Sequence, residues 1–337
     1  MHTQWLTHLV QSTDPDLEPA FAYASAVNWI RAFAMLVEPL IADPVRYVRT
    51  QVRPVFRNVG AIWPPQQPAV RRRLSLCLTP VYMATNFANT LDHLAQTTTG
   101  DRLWSTLSSA MVTWYYSVYY LFQGFLAAMD GTTIDTHAEG QRIMNDKNRL
   151  KLLLPPFNLQ CLWGGKWNTP ALAPAWPSDG QFLRRRPQNQ NEAQAAVGAY
   201  FTGTWVWFAH RTTERVKKEN QLPDFRTKAA QALRDAALQQ VAINFLHCVY
   251  RYRTKANYRD AIFATYGSQF SGLPTEFLRD LLTLYKAIAL GVEAYVCRRV
   301  HITRYQHYID DVARHQRDTH ALFPTRFQGP AVLAGMT

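Results

Sequence analysis

The chain is predicted to be all-α, a multi-helix bundle carrying one irregular insertion rich in Trp and Pro. Apolar residues recur at steps of three and four over several long stretches, the spacing that lines up side chains on one face of a helix. Runs of alternating apolar and polar residues, the mark of half-buried strands, are scarce. A hydrophobic content of 47% over 337 residues, 13% of the chain being aromatic, is enough for a substantial core and excludes a disordered chain.

The first predicted helix is Pro19–Ile41, mostly buried through Phe21, Ala24, Val27, Trp29, Ile30, Phe33, Met35 and Leu36, and Asp43-Pro44 marks a stop or restart. Val45–Val59 carries Arg46, Arg49, Arg53 and Arg57. On a helix these place four guanidinium groups on one face, with Pro54 as a kink point. Trp63-Pro64-Pro65-Gln66-Gln67-Pro68 is a break, followed by Arg71-Arg72-Arg73 and a helix over Leu74–Leu94. Asp101–Met129 reads as a long aromatic helix with Asp101 and Ser105 as N-terminal caps, and His137–Leu154 as its partner, ended by Pro155-Pro156.

Asn158–Asn191 lacks helical period. It is expected to be an ordered loop or short-strand insertion, because Leu162, Trp163, Trp167, Trp176 and Phe182 need burial. Helix resumes over Glu192–Lys218, with Tyr200, Phe201, Trp205, Trp207 and Phe208 clustered on it, and again over Phe225–Tyr252. Pro274 opens a single long helix over Thr275–Asp311. From about Gln316 the chain is polar, then punctuated by Pro and Gly, and is expected to be peripheral.

Lys and Arg total 36 against 24 Asp and Glu, a net charge of +12, with a pI near 9.7. Such a surplus suits a polyanion, usually nucleic acid, although a basic protein without a specific ligand has the same balance. Cys77, Cys161, Cys248 and Cys297 are far apart and form no CxxC pair, so neither a zinc ribbon nor a disulfide framework is expected, and reduced, buried thiols are. Trp5–Val10 is too short an apolar run for a signal peptide. Val112–Met129 comes closest to a membrane span but is interrupted by tyrosines, Trp114 and Gln123. A cytoplasmic protein without a membrane partner is the expectation.

Familiar catalytic patterns are missing from the sequence. Gly164-Gly165-Lys166 lacks the earlier glycine and following Ser or Thr of a phosphate loop, and there is no Gly-x-Ser-x-Gly elbow. Asp310-Asp311 is the one acidic doublet, too little for a two-metal nuclease, and His301 and His307 do not share a face. No metal and no cofactor is expected.

Met111–Arg142 is the most distinctive stretch. Tyr115, Tyr119, Phe122 and Leu126 share one helix face, Tyr116, Tyr120 and Phe125 widen it, and Asp130-Gly131-Thr132 and Thr136-His137 follow. This order of aromatic helix, glycine turn, Thr-His and second helix resembles the central hairpin of the HEPN superfamily, all-helical domains of toxins, antiviral ribonucleases and nucleotide-associated bacterial proteins. An ordinary helical hairpin has the same features. The resemblance spans roughly 101–300. It divides the chain into an N-terminal helical region (1–100), a HEPN-like domain (101–315) with its insertion at 158–191, and a tail (316–337).

HEPN ribonucleases carry an Arg, four to six residues, then a His, and pair two protomers at a two-fold interface. The Arg stabilises charge on the phosphorane, and the His moves a proton or orients the leaving oxygen. Two stretches are similar to that motif. Arg314 and His320 are separated by five residues, with His315 as the polar residue after the Arg; a solvated basic helix end fits them equally. Arg253 and Tyr258 are separated by four residues, with Tyr where the family has His, so this second stretch resembles a degenerate motif. Arg251, Arg253, Lys255, Tyr258 and Arg259, with Tyr252, then form a cationic and aromatic strip suited to phosphates and a stacked base. The alternative is that these arginines pair with carboxylates such as Asp260 and Glu293 while the tyrosines are core. His137 is either a partner of the strip across the bundle or part of a helix cap.

Three functions remain open. The first is a HEPN-like, RNA-associated protein of a prokaryotic antiviral or toxin-type system. The arginines without a histidine favour binding over cleavage, with a metal-independent ribonuclease using Arg314 and His320 as the alternative. The second is a non-catalytic nucleic-acid binder in which Arg46, Arg49, Arg53, Arg57, Arg71, Arg72, Arg73 and Arg184–Arg186 track a phosphate backbone. The third is a protein-interaction subunit of a larger complex, anchored by Trp63, Trp163, Trp167 and Trp176.

Overall fold

A computed structural model describes residues 19–61, 70–98, 101–254, 274–315 and 329–337. The described chain is a multi-helix bundle with one two-stranded sheet, as predicted. Its centre is an antiparallel pair, α4 (Val70–Thr97) against α5 (Asp101–Asp130). Cys77, Val81, Ala84, Ala88 and Leu91 are all fully buried at alternating steps of four and three, as are Ala110, Trp114, Leu121 and Ala128 on α5. Gly124 permits the close approach, since a Cβ there would lie 2.9 Å from the carbonyl oxygen of Cys77. The antiparallel neighbour of the aromatic helix is therefore the helix before it. The expected partner, His137–Leu154, is broken into α6 (His137–Ile143) and α7 (Lys147–Leu150).

Before this pair come α1 (Pro19–Ile41), α2 (Pro44–Tyr47), a π turn (Val48–Val52) and α3 (Arg53–Val55). Asp43 caps α2 by accepting from the Arg46 N–H at 3.0 Å, with Pro44 in the first turn, where its missing N–H costs nothing. On α1, Trp29, Phe33 and Val37 face inward, and Arg31 pairs with the buried Asp280 at 2.8 Å. Ala24–Ile41 is the one stretch among the described residues long and apolar enough to cross a membrane, and here it packs on protein.

After α7 the expected insertion is a short hairpin, β1 (Gln160–Trp163) antiparallel to β2 (Pro170–Ala173), with Gln160 opposite Ala173. Its predicted burial holds in part. Leu162, Trp163, Trp176 and Phe182 are half-buried, but Trp167 is 45% exposed, with the Arg234 guanidinium over its ring at 5.1 Å.

Then come α8 (Gln181–Arg184), α9 (Gln190–Glu219), α10 (Lys228–Gln239) and α11 (Phe245–Thr254). The helix expected over Phe225–Tyr252 is thus two. The break lets Ile243 bridge to Cys161 and Val241 accept from the Trp205 indole, and Asn244 caps α11 by accepting from the His247 N–H.

The helix expected over Thr275–Asp311 is also two, α12 (Pro274–Val300) and α13 (Ile302–His315), divided at His301, whose φ is 80°. The turn brings the Tyr305 hydroxyl back onto Glu293, a bond inside the core that a straight helix could not make. The expected peripheral tail is corrected over its described end. α14 (Gly329–Met336) docks on α2, α12 and the π turn with Val332 fully buried.

Helices α1, α5, α9 and α11 meet at Trp29, which stacks on Tyr200 with centroids 4.1 Å apart and meets Trp114 and Tyr252 edge-on. One hydrophobic cluster runs from α1 through α14. All four cysteines are free and buried.

Candidate functional site

Arg49, Arg53 and Arg57 line a cleft of about 380 Å³, closed by Pro54, Phe56, Met336 and Arg298. The local backbone explains how three of the four stripe arginines share it. Pro54 has no N–H to donate, and just before it the helix widens so that the Arg53 N–H reaches the carbonyl of Val48, five residues back. A step of four overshoots one turn of α-helix and undershoots one turn of π-helix, so the mixed segment keeps the arginines near one line.

The fourth wall is held from the far end of the chain. Arg298 is at the C-terminal end of α12, and its Nε donates to the carbonyl of Val59 at 2.7 Å. Arg299 beside it donates to Ala128, Met129 and Gly60 carbonyls at 2.7–2.8 Å, tying the C-terminus of α5 to the cleft segment. Arg49 donates through Nη2 to Ala334 O at 3.1 Å, capping α14.

Arg53 and Arg57 are exposed, and among the described residues they make no ion pair or side-chain hydrogen bond and no carboxylate lines the cleft. Four cations gathered without a counter-charge repel one another, and a bound anion relieves that repulsion. The planar forks of guanidinium match phosphate oxygens in pairs. Arg298 and its anchoring doublet went unnoticed in the sequence. The available signal was two adjacent arginines in the last turn of a long apolar helix.

A second group surrounds His137. Thr136 caps α6 by accepting from the Glu139 N–H, and His137 Nδ1 is 2.6 Å from the Tyr115 hydroxyl. Tyr119 and Tyr250 pack edge-on and tilted against the imidazole. Arg253 lies over the Tyr115 and Tyr116 rings at 5.3 and 5.5 Å and donates to the Tyr116 hydroxyl at 3.3 Å. Its Nε is buried without a hydrogen-bond partner among the described residues. Burial, and then the Arg253 charge, lower the His137 pKa, so the imidazole stays neutral. The two residues that sequence reasoning set across the bundle thus share Tyr115.

Among the described residues, the remainder of the strip, Arg251 and Tyr252, is already engaged within the protein. Arg251 is half-buried, donating to Thr204 Oγ1 at 3.0 Å with Tyr200 and Trp207 beneath it, and Tyr252 is core. Glu293 pairs with neither arginine; it accepts from Tyr305. Lys255, Tyr258, Arg259 and His320 lie outside the described residues. So do Asp260, Trp63 and the side chain of Arg71.

Arg46, Arg72 and Arg73 are exposed but do not line the cleft. Arg185 and Arg186 pair with Glu192 and Glu276 at the surface. Arg314 is exposed in the last turn of α13, bonded to Asp310 O and 3.9 Å from Asp311. No group of three or more metal-ligating side chains occurs among the described residues. No protein-family model, curated protein or solved structure matches the chain.

Proposed function

We propose that the protein binds single-stranded nucleic acid, RNA in preference to DNA, through the arginine cleft, and that it does so without cleaving it. The observation that carries this reading is the convergence of Arg49, Arg53, Arg57 and Arg298 in a recess that, among the described residues, no carboxylate lines. A net charge of +12 favours the encounter with a polyanion. A recess suits single strands, whose phosphates and splayed bases enter pockets, better than it suits a duplex. The HEPN-like order of parts around Met111–Arg142 points to RNA and to an antiviral or toxin-type setting.

The test is fluorescence anisotropy with labelled single-stranded RNA and DNA over a salt series. Each phosphate neutralised on a single strand contributes about −0.7 to the slope of log K against log salt. Three or four contacts therefore give a slope of about −2 to −3. In Arg53→Gln/Arg57→Gln protein the slope shrinks by about 1.4. Binding that ignores salt, or is unchanged in the double variant, removes the cleft from the reading.

Metal-independent cleavage is a second reading, favoured by one observation: Arg253 and His137 both contact Tyr115. A neutral imidazole can accept a proton, and a guanidinium can stabilise developing charge. Release of labelled fragments in EDTA, abolished in His137→Gln, would support it; intact RNA after long incubation would exclude it.

A further inference from the structure

We infer that the cleft takes a terminal phosphomonoester, the phosphorylated end of an RNA strand, in preference to an internal diester; this rests on the nucleic-acid reading above. Three features separate an end from a passing backbone.

The first is charge. An internal diester carries one negative charge, whereas a phosphomonoester carries close to two near neutral pH. Four guanidinium groups, with no lining carboxylate among the described residues, exceed what one diester can balance, and they suit a dianion. A strand lying across a surface meets its cations in an extended row. Here Arg298, brought in from a different helix, faces the row formed by Arg49, Arg53 and Arg57 and turns it into a recess.

The second is shape. A volume of about 380 Å³ falls in the range of small-molecule pockets and accommodates one nucleotide-sized group. The Met336 end of α14 forms part of its wall. A chain end can enter such a recess without having to leave it on the other side.

The third is pre-organisation. Arg298 is held through Nε, and its two terminal nitrogens have no hydrogen-bond partner among the described residues. Arg49 is held through one nitrogen, Nη2, to Ala334 O. Two arginines anchored in this way lose little rotamer freedom on binding a phosphate. Arg53 and Arg57, without described partners, are free to close on it.

The experiment compares one single-stranded RNA sequence in three forms: 5′-phosphorylated, 3′-phosphorylated and hydroxyl-ended. Competition by a nucleoside monophosphate and by inorganic phosphate is measured alongside. The expected result is at least about tenfold tighter binding of one phosphorylated form. The preference should collapse in Arg53→Gln/Arg57→Gln protein with unchanged thermal stability. A free monophosphate should compete, and inorganic phosphate should compete more weakly, which separates an RNA end from a plain phosphate site.

Equal, salt-sensitive affinity for all three RNAs would overturn the end preference and leave the nucleic-acid reading standing. Absence of binding to any of them would overturn both. A preference that survives in the double variant would place the phosphate elsewhere and overturn this assignment. Arg298 is left intact, because its bond to Val59 makes its loss ambiguous.

Discussion

Val48 and Gly335 stand so close that a Cβ on the glycine would lie 2.5 Å from both Cβ and Cγ1 of the valine. No side chain fits between the π turn and α14 without moving one of them. The atoms met belong to a stiff β-branched side chain, so relief must come from the backbone. Gly335→Ala is expected to cost about 1–3 kcal/mol by overpacking and to loosen the Arg49 bond to Ala334. Denaturant midpoints would measure the loss. The Val48→Gly/Gly335→Ala pair, which removes both valine atoms that the new Cβ meets, should be less destabilised than the sum of the single changes, and strict additivity would contradict the contact.

Arg299 predicts a failure of the commonest conservative exchange. Its guanidinium reaches three carbonyls on two segments, a fork that a lysine ammonium cannot reproduce. Arg299→Lys keeps the charge and is expected to lose about 2–3 kcal/mol of stability. It should also weaken RNA binding, because the segment carrying Val59 and Gly60 borders the cleft. A thermal melt matching wild type would show that the clamp contributes nothing.

Glu293 makes stability depend on pH in the opposite sense to a salt-bridged carboxylate. Full burial pushes its pKa from an ordinary 4.5 up to about 7, against the lowering effect of the Tyr305 hydroxyl bond. The folded protein therefore holds a proton that the unfolded chain releases between those values. The associated stability is present below the unfolded pKa and is lost as pH rises through about 7. At about 1.4 kcal/mol per unit the effect amounts to a few kcal/mol. Glu293→Gln preserves an acceptor for Tyr305 and should remove this slope. Urea midpoints of both proteins at about pH 5 and about pH 8 decide it, and parallel changes in the two would refute the assignment.

His137 offers a spectroscopic readout of Arg253. Desolvation and the neighbouring guanidinium both lower its pKa. In Arg253→Gln protein the second cause is gone, so the imidazole resonances should titrate at higher pH than in wild type. Unchanged titration would mean that the cation is too well solvated to be felt.

The helices were legible because burial imposes its period on sequence: Trp29, Ile30 and Phe33 declare an inner face without reference to any other part of the chain. The breaks at His301 and at 240–244 were not. The first folds Tyr305 back onto Glu293 of the preceding helix and the second reaches distant Cys161, and the local apolar pattern runs straight through both. Trp167 misled for a related reason, since a large apolar ring with Arg234 over it tolerates exposure.

The candidate site was half visible for the same reason. Arg49, Arg53 and Arg57 advertise themselves by spacing, whereas Arg298 joins them through a hydrogen bond spanning 239 positions. The strip at Arg251–Arg253 shows the converse. Its composition suits a ligand, but the two described arginines each direct one terminal nitrogen at a protein hydroxyl, Thr204 and Tyr116.

The docking of α14 has a practical side. Met336 forms part of the cleft wall, so anything joined after Thr337 starts at its rim. A flexible extension tethered there would present its own groups at an effective concentration of order millimolar. An acidic peptide or purification tag at that position would act as a built-in competitor, and binding measured on such a protein would report the tag as much as the cleft.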